Sequence, residues 1–285
     1  MKKIRIGGVP EHFNLPIHLA IENKYFQEAG IEVEWIDFPG GSGYMKEALR
    51  AGDLELCILL TEGIVTDILK GNPSKIVSGH VNTSLTWGIH TSISNEDSSI
   101  FNKKIAISRL GSGSHLMPIV HAMMEDEQIS SDQFKEVRDI NGGIASLNDG
   151  SSEIFYWEKY TTKPYLEKHA IKRIGEFISP WPCFMIAATN QVIQSDPDLV
   201  STALKIIHRS NQAFMKLDNA AKLVSDRYQQ NQKDAERWFH STEWAVNGWV
   251  SDKMLEGVLY SLKEAEIISK ETTTKNLIWD RNKMN

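Results

Sequence analysis

The sequence predicts an α/β protein of two lobes. Three observations carry this. Short apolar runs alternate with amphipathic segments of helical length over the first 82 residues, a second series of the same kind begins near Trp87, and from Pro197 onward the pattern is nearly all helix. Strands separated by helices of this length imply a parallel sheet with helices on its faces.

In the first series, KIRIGGV at residues 3–9 reads as a strand. Residues 14–28 form a helix with Leu15, Leu19 and Phe26 on one face, and Asn14 as its cap. IEVEWIDF alternates as a half-buried strand does. The turn Gly40-Gly41-Ser42-Gly43 precedes a helix through Leu49, and LELCILL is a buried strand. A helix from Glu62 to Leu69 ends at Gly71-Asn72-Pro73, before the strand KIVSGHV.

The second series holds WGIHTSI, KKIAISRL, a helix at 115–127, FKEVRDI, a short helix near 142–149, SEIFYWE, a helix at 158–168 and IKRIGEF. FMIAATNQVI reads as a further strand. Asp196 or Ser195 then caps a long helix with Pro197 in its first turn. Lobe one comprises residues 1–86 and 189–285, and lobe two residues 87–188. Each lobe is expected to have its own sheet. The chain crosses between them near 83–90 and 185–192, and the helical tail packs on lobe one.

The chain of 285 residues can bury a sizeable core. Hydrophobic content is 41% and charged content 24%, as in ordinary soluble domains. A net charge of −6 with no Lys/Arg cluster argues against nucleic acid as a partner. No stretch approaches the apolar length of a membrane span. MKKIRIGGVPEHFN has no apolar signal core and reads as a first strand. The expected location is the cytoplasm as the sequence stands, or the periplasm or a lipid anchor if a signal has been removed. Cys57 and Cys183 offer neither a disulfide framework nor metal-ligand spacing.

The most informative local feature is Ser108 to His115, SRLGSGSH. A strand stops in a Gly/Ser loop that opens a helix, which aims free N–H groups and the positive helix end at one spot. A phosphate, sulfonate or carboxylate fits there. The plainer reading is a tight turn with Ser112 or Ser114 as N-cap. Gly41 and Ser42 offer the same pair of readings, as do Thr61 and Glu62 at a helix start.

Three stretches carry a family resemblance: IRIGGVPEHFNLPIHLAIENKYFQEAGIEVEW, PGGSGYMKEALRAGDLELCILLTEG and ISRLGSGSHLM. With WGIHTSI, FYWEKYTTKP and SPWPCF, the chain resembles the family that binds alkanesulfonates, taurine and thiamine pyrimidine precursors, the NMT1/THI5-like group. The subgroup is one without obvious export signals, seen in bacteria and fungi. The resemblance covers nearly the whole chain and implies the type II periplasmic-binding-protein fold. It implies a solute-binding component of an ABC transporter, with a membrane permease as partner. Its ligand is a small molecule with an anionic group, such as a thiamine pyrimidine precursor.

In such a fold the ligand sits outside the carboxyl ends of the strands. The candidate ligand-binding residues are those at the strand ends. Gly111, Ser112, Gly113 and Ser114, with Ser108, form the anion loop. Gly41, Ser42, Thr61 and Glu62 face it from lobe one. Glu11 and His12 either bind a ligand amine or ring nitrogen, or stabilise the helix that follows. Trp157, Tyr160 and Trp181 either wall a pocket for a flat ring or belong to the core. Glu158 either pairs with a positive group or is a solvated first-turn carboxylate. His90 lies beside the crossover.

No catalytic motif stands out, and no cofactor or metal is expected. The fungal pyrimidine synthases of the same superfamily are the enzymatic alternative. Their CCCFC signature is absent here, with only Pro182-Cys183-Phe184 at a comparable place. A synthase needs a lysine that holds an aldehyde cofactor as a Schiff base. A cytosolic ligand sensor is the other alternative.

Overall fold

The computed structural model describes residues 1–269, 271–274 and 277–279. The first half opens with β1 (Lys2–Gly8), in which Ile4 and Ile6 are fully buried. Helices α1 (Leu15–Glu22) and α2 (Tyr25–Glu28) follow, then β2 (Ile31–Asp37), α3 (Ser42–Ala51), β3 (Leu56–Leu60) and α4 (Thr61–Leu69). The expected single helix over 14–28 is broken because Lys24 takes the left-handed conformation, φ 62°. Asn14 does not cap it through its side chain. Its Nδ2 donates instead to the Val9 carbonyl at 2.8 Å, which closes the turn after β1.

Strand β4 (Ser74–Thr91) leads into the second half. There follow β5 (Ile105–Ile107), α5 (Gly113–Met124), β6 (Phe134–Glu136), α6 (Ile140–Asn148), β7 (Ile154–Glu158) and α7 (Lys163–Glu167). Strand β8 (Lys172–Thr189) returns to the first half, and α8 (Asn190–Ser195), α9 (Pro197–Phe214), α10 (Ala220–Tyr228), α11 (Gln232–His240) and α12 (Asp252–Glu264) form the tail. The helix expected over 158–168 shrinks to α7. FMIAATNQVI ends as a strand at Thr189, whose hydroxyl accepts from Val192 N and so starts α8.

The strands lie in the order β2-β1-β3-β8-β4-β7-β5-β6, hydrogen-bonded as one sheet. This corrects the expectation of a separate sheet in each lobe. KIVSGHV and WGIHTSI are parts of the single strand β4, and IKRIGEF and FMIAAT are parts of β8. The two long strands pair antiparallel from Ser74↔Thr189 to Thr91↔Lys172. Away from them the pairs β1/β2, β1/β3, β5/β6 and β5/β7 are parallel, as expected for strand–helix alternation.

The β4/β8 ladder is not even. Its register shifts repeatedly between Ile76 and Thr86, opposite Ile178 to Ala187. Pro180 and Pro182 explain the centre of that zone, since proline has no N–H for a ladder. Ser179 substitutes in part, its hydroxyl accepting from Leu85 N at 3.0 Å. The irregular zone of β8 lies at 178–184, next to Met185 to Ala188, which pairs regularly with β3.

One apolar core runs through both halves, and a smaller cluster of Ile144, Leu147, Phe155, Trp157 and Ile171 fills the second half beneath α6. The tail packs largely on the first half. Ser210 in α9 donates to the Pro16 carbonyl at 2.6 Å, and Trp244 Nε1 to the Phe13 carbonyl at 2.9 Å. Helix α12 reaches both α4 and α5. Among the described residues no helix is long and apolar enough to cross a membrane.

Candidate functional site

The ends of β1, β3, β5 and β7 meet the β4/β8 break around one cavity. Its lining includes Glu11, Gly41, Ser42 and Leu60 from the first half and Ser108, Ser112, Gly113, Ser114, Trp157 and Glu158 from the second. Val9, Leu85, Trp87 and Phe184 complete it. The space, with its open mouth, is about 440 Å³.

The Gly/Ser loop forms one wall. After β5, Ser108 N donates to Ser114 Oγ at 2.8 Å, which folds the loop back on itself. Gly111 turns it with φ 75°, a conformation that favours glycine. Ser112 is the N-cap residue of α5, but its hydroxyl caps nothing. It donates to the Arg109 carbonyl at 2.7 Å. Ser114 Oγ donates to Ser108 Oγ at 3.3 Å. The Ser112 and Ser114 hydroxyls are thus spent on shaping the loop. What remains free, among the described residues, is the Gly113 N–H, the Ser114 N–H and the Ser108 O–H. Gly113 is required by packing, because a Cβ there would overlap Leu60 and stand 2.6 Å from Trp87 Cη2.

Helix α3 presents its first turn from the opposite half. Ser42 is not a side-chain cap either; its Oγ accepts from Leu60 N at 3.3 Å and ties the turn to the end of β3. Two helix N-termini therefore face one space, each with unsatisfied N–H groups and a positive end. Outside the cavity the same elements grip each other. Lys46 Nζ donates to the Gly111 carbonyl at 2.7 Å, Arg109 pairs with Glu47 at 2.7 Å, and its guanidinium stacks on Tyr44, 2.9 Å from the ring centroid.

The other side of the cavity is acidic. Glu158 ends β7 and is buried, not a solvated carboxylate. Its Oε2 accepts from Tyr160 N, Thr161 N and Thr161 Oγ1 at 2.9, 2.6 and 2.8 Å. Burial raises its carboxyl above the usual range, against the pull of those donors. Glu11 follows β1, and burial, then the nearby charge of Glu158, pushes its carboxyl up to about 8. Among the described residues the hydrogen bonds to the Glu158 carboxylate all fall on Oε2.

Several candidate residues stand behind the lining. His12 is buried against Phe13 and Trp238, held neutral by burial, with Nδ1 on Gln230 and Nε2 4.0 Å from Glu158 Oε2. Glu62 is buried and its Oε2 accepts from Trp181 Nε1 at 2.9 Å, so these two candidates are paired with each other. Thr61 Oγ1 donates to the Pro182 carbonyl at 2.5 Å. His90 is buried between the Phe155 carbonyl and Arg173. Gly111 turns its carbonyl to Lys46, and Tyr160 lies beneath Lys159. Sequence reasoning missed Val9, Leu60, Leu85, Trp87 and Phe184. Each is an apolar residue at or beside a strand end, which reads as core until the break in β4 and β8 is known. Among the described residues no group of three metal-ligating side chains converges, and no lysine lines the cavity.

This architecture, two halves joined by a pair of long strands with a polar cavity at the junction, is a two-lobed periplasmic-binding-protein fold of type II character. The Candida albicans CA3427 gene product, which defines a family with the generic form of that fold, aligns with a TM-score of 0.88 at 25% identity, over 95% of this chain and 92% of its own. The alkanesulfonate-binding protein SsuA of Xanthomonas axonopodis, bound to MOPS, gives 0.75 at 11% identity, with 98% of each chain covered. The ligand-binding component of an ABC-type import system from Staphylococcus aureus, with zinc bound, gives 0.72 at 13%, covering 100% and 99%. Residues 86–177 match the family model described as Ca3427-like PBP. No curated protein matches the sequence.

Proposed function

We propose that the protein is a solute-binding protein whose two lobes, residues 1–86 with 189–285 and residues 87–188, enclose a small oxyanion-bearing compound. The observation that carries this reading is the pair of helix N-termini, α3 and α5, lining one cavity from opposite halves. The free Gly113 and Ser114 N–H groups and the Ser108 hydroxyl are the donors, and Trp157, Trp87 and Phe184 wall the apolar part of the ligand. Solved neighbours that bind sulfonates or serve ABC import support the class, and an import permease is the corresponding partner. The narrower candidate within this class is a phosphorylated thiamine pyrimidine precursor, as the family resemblance implies.

Native mass spectrometry of freshly purified protein gives the mass of any co-purified ligand. Calorimetry with butanesulfonate and butylphosphonate then tests the donors. A charge-assisted hydrogen bond contributes roughly 1.5–3 kcal/mol, so Ser108→Ala should weaken binding at least about tenfold. No binding of either anion, or unchanged affinity in Ser108→Ala, rejects the anion site.

A further inference from the structure

A second space lies beside the Gly/Ser loop, apart from the cleft. It is walled by α3 and α4 from the first half, by Arg109 to Gly111 and α5 from the second, and by residues 265–267 after α12. With its open mouth it is about 1050 Å³. Four cations converge on it: Lys46 and Arg50 of α3, Lys70 at the end of α4, and Arg109. The acids in the same walls are Glu47, Asp67 and Glu266. Two of them are spent, Glu47 on Arg109 at 2.7 Å and Asp67 on Arg50 and Asn72. Neither Lys46 nor Lys70 forms an ion pair among the described residues.

Lys46 is the decisive group, and it lines this space rather than the cleft. It is 7% exposed, and its ammonium makes one hydrogen bond, to the Gly111 carbonyl at 2.7 Å. A neutral carbonyl leaves the charge and two N–H groups unanswered. Burial, with Lys70 and Arg50, lowers its amine below the usual lysine range against the pull of Asp67. His115 stands in the same field: burial, then Lys70 and Lys46, pull it down to about 4. Its Nδ1 accepts from Gly111 N at 3.0 Å, so the neutral ring carries its proton on Nε2. Arg109 Nε is buried without an acceptor among the described residues. Helix C-termini account for Arg50 and Lys70 one at a time. They do not account for a buried ammonium beside them with no counter-charge, which is costly until an anion completes it.

We propose that this space is a second binding site, separate from the cleft, for a diphosphate or comparably multivalent phosphate group. Lys46 and Lys70 are its unneutralised charges, and His115 Nε2–H is a neutral donor in the same lining. Two ammonium groups without counter-ions match a multiply charged group better than a single carboxylate. Leu110, Ile119 and Ile267 stand in the same walls and give apolar surface for an organic group that carries the phosphates. The cations come from both halves, and Lys46 already holds the loop whose N–H groups face the cleft. A phosphate bound here therefore ties the halves together from outside the cleft.

Calorimetry with inorganic pyrophosphate and with ADP tests the site on the wild type, Lys70→Glu and Ser108→Ala. Pyrophosphate should bind the wild type and Ser108→Ala equally, since Ser108 belongs to the cleft. Lys70→Glu should weaken pyrophosphate at least about tenfold and leave butanesulfonate binding as it was. Lys70 is exposed and forms no ion pair among the described residues, and thermal melting confirms that the variant folds. Reductive methylation read by mass spectrometry locates the site independently: pyrophosphate should protect Lys70 and not the exposed Lys222. ADP bound more tightly than pyrophosphate supports the site and assigns its apolar walls to an organic group; equal affinity supports it as a site for the inorganic ion. No binding of either probe overturns the proposal, as does binding unchanged in Lys70→Glu. Binding lost in Ser108→Ala also overturns it, because the phosphate is then in the cleft.

Discussion

Glu62 makes a prediction about stability that can be worked from its surroundings. It sits at the start of α4, 1% exposed, with Oε2 on Trp181 Nε1 at 2.9 Å and no partner for Oε1. Desolvation holds its carboxyl at about 7, against the Trp181 bond, where an ordinary glutamate is at 4.5. Between those two values the native protein keeps a proton that the unfolded chain has released. Stability from this group is therefore fullest below pH 4.5 and falls as pH rises towards 7, by about 1.4 kcal/mol per pH unit. Above 7 both states have lost the proton and the deficit stays near about 3 kcal/mol.

Glu62→Gln removes the titration while keeping an oxygen for Trp181. Its amide leaves a buried donor without an acceptor, a cost of about 1–3 kcal/mol that does not depend on pH. The informative quantity is the difference between variant and wild type, because Glu11 and Glu158 bend the wild-type curve the same way and cancel. Urea unfolding across pH 4.5 to 8 should show the variant gaining about 3 kcal/mol on the wild type from the acid to the alkaline end. Parallel curves for the two proteins would refute the account of Glu62 as a carboxyl kept neutral by burial.

Three further outcomes follow from close packing. Gly113→Ala forces a methyl group between Leu60 and Trp87 across the two halves; overpacking of about 1–3 kcal/mol should lower the melting temperature and, by parting the donors, weaken butanesulfonate binding severalfold or more, read by melting and calorimetry. In Gly142→Ala the new Cβ overlaps the Val137 carbonyl oxygen, which cannot move without disturbing the Asp139 cap of α6; chemical denaturation should register a loss of about 1–3 kcal/mol. Arg109→Ala removes the Glu47 ion pair and the stack on Tyr44 that join the halves outside the cavity; about 1 kcal/mol of interlobe contact should go, seen as a severalfold faster ligand release in stopped flow.

The parts of the fold legible in the sequence are those in which local pattern and tertiary role agree. The turn at Gly111 and the start of α5 follow from Gly and Ser at the end of an apolar run, and Asp196 caps α9 by accepting from Leu199 N as its position before Pro197 suggests. The long strands were not legible. In β8, Pro180 and Pro182 read as terminators, yet the chain passes through them extended, because the bonds they cannot make fall where the ladder is already broken. The cavity lining divides the same way. Gly/Ser loops at strand ends are visible, whereas the partnership of Trp181 with Glu62 spans 119 residues and leaves no local signature. The sequence leaves Ser112 between ligand donor and N-cap because it does not say which acceptor a hydroxyl finds, and here that acceptor is the loop's own carbonyl at Arg109.

The pairing of Thr91 with Lys172 makes everything between them an insertion whose two ends leave the β4/β8 ladder side by side. During synthesis this inverts the usual order of folding. Strand β3 is made early, but its partner on one edge is Phe184 to Ala188, so the amino-terminal half waits with an open apolar edge until more than a hundred further residues have emerged. The inserted half depends on no such delay, because β5, β6 and β7 pair with one another and with β4, which is made before them. The ribosome therefore delivers a complete second half to an unfinished first one. Contacts of such long sequence separation are slow to form, and the exposed edge of β3 is where a chaperone or a misfolded neighbour would meet this chain first.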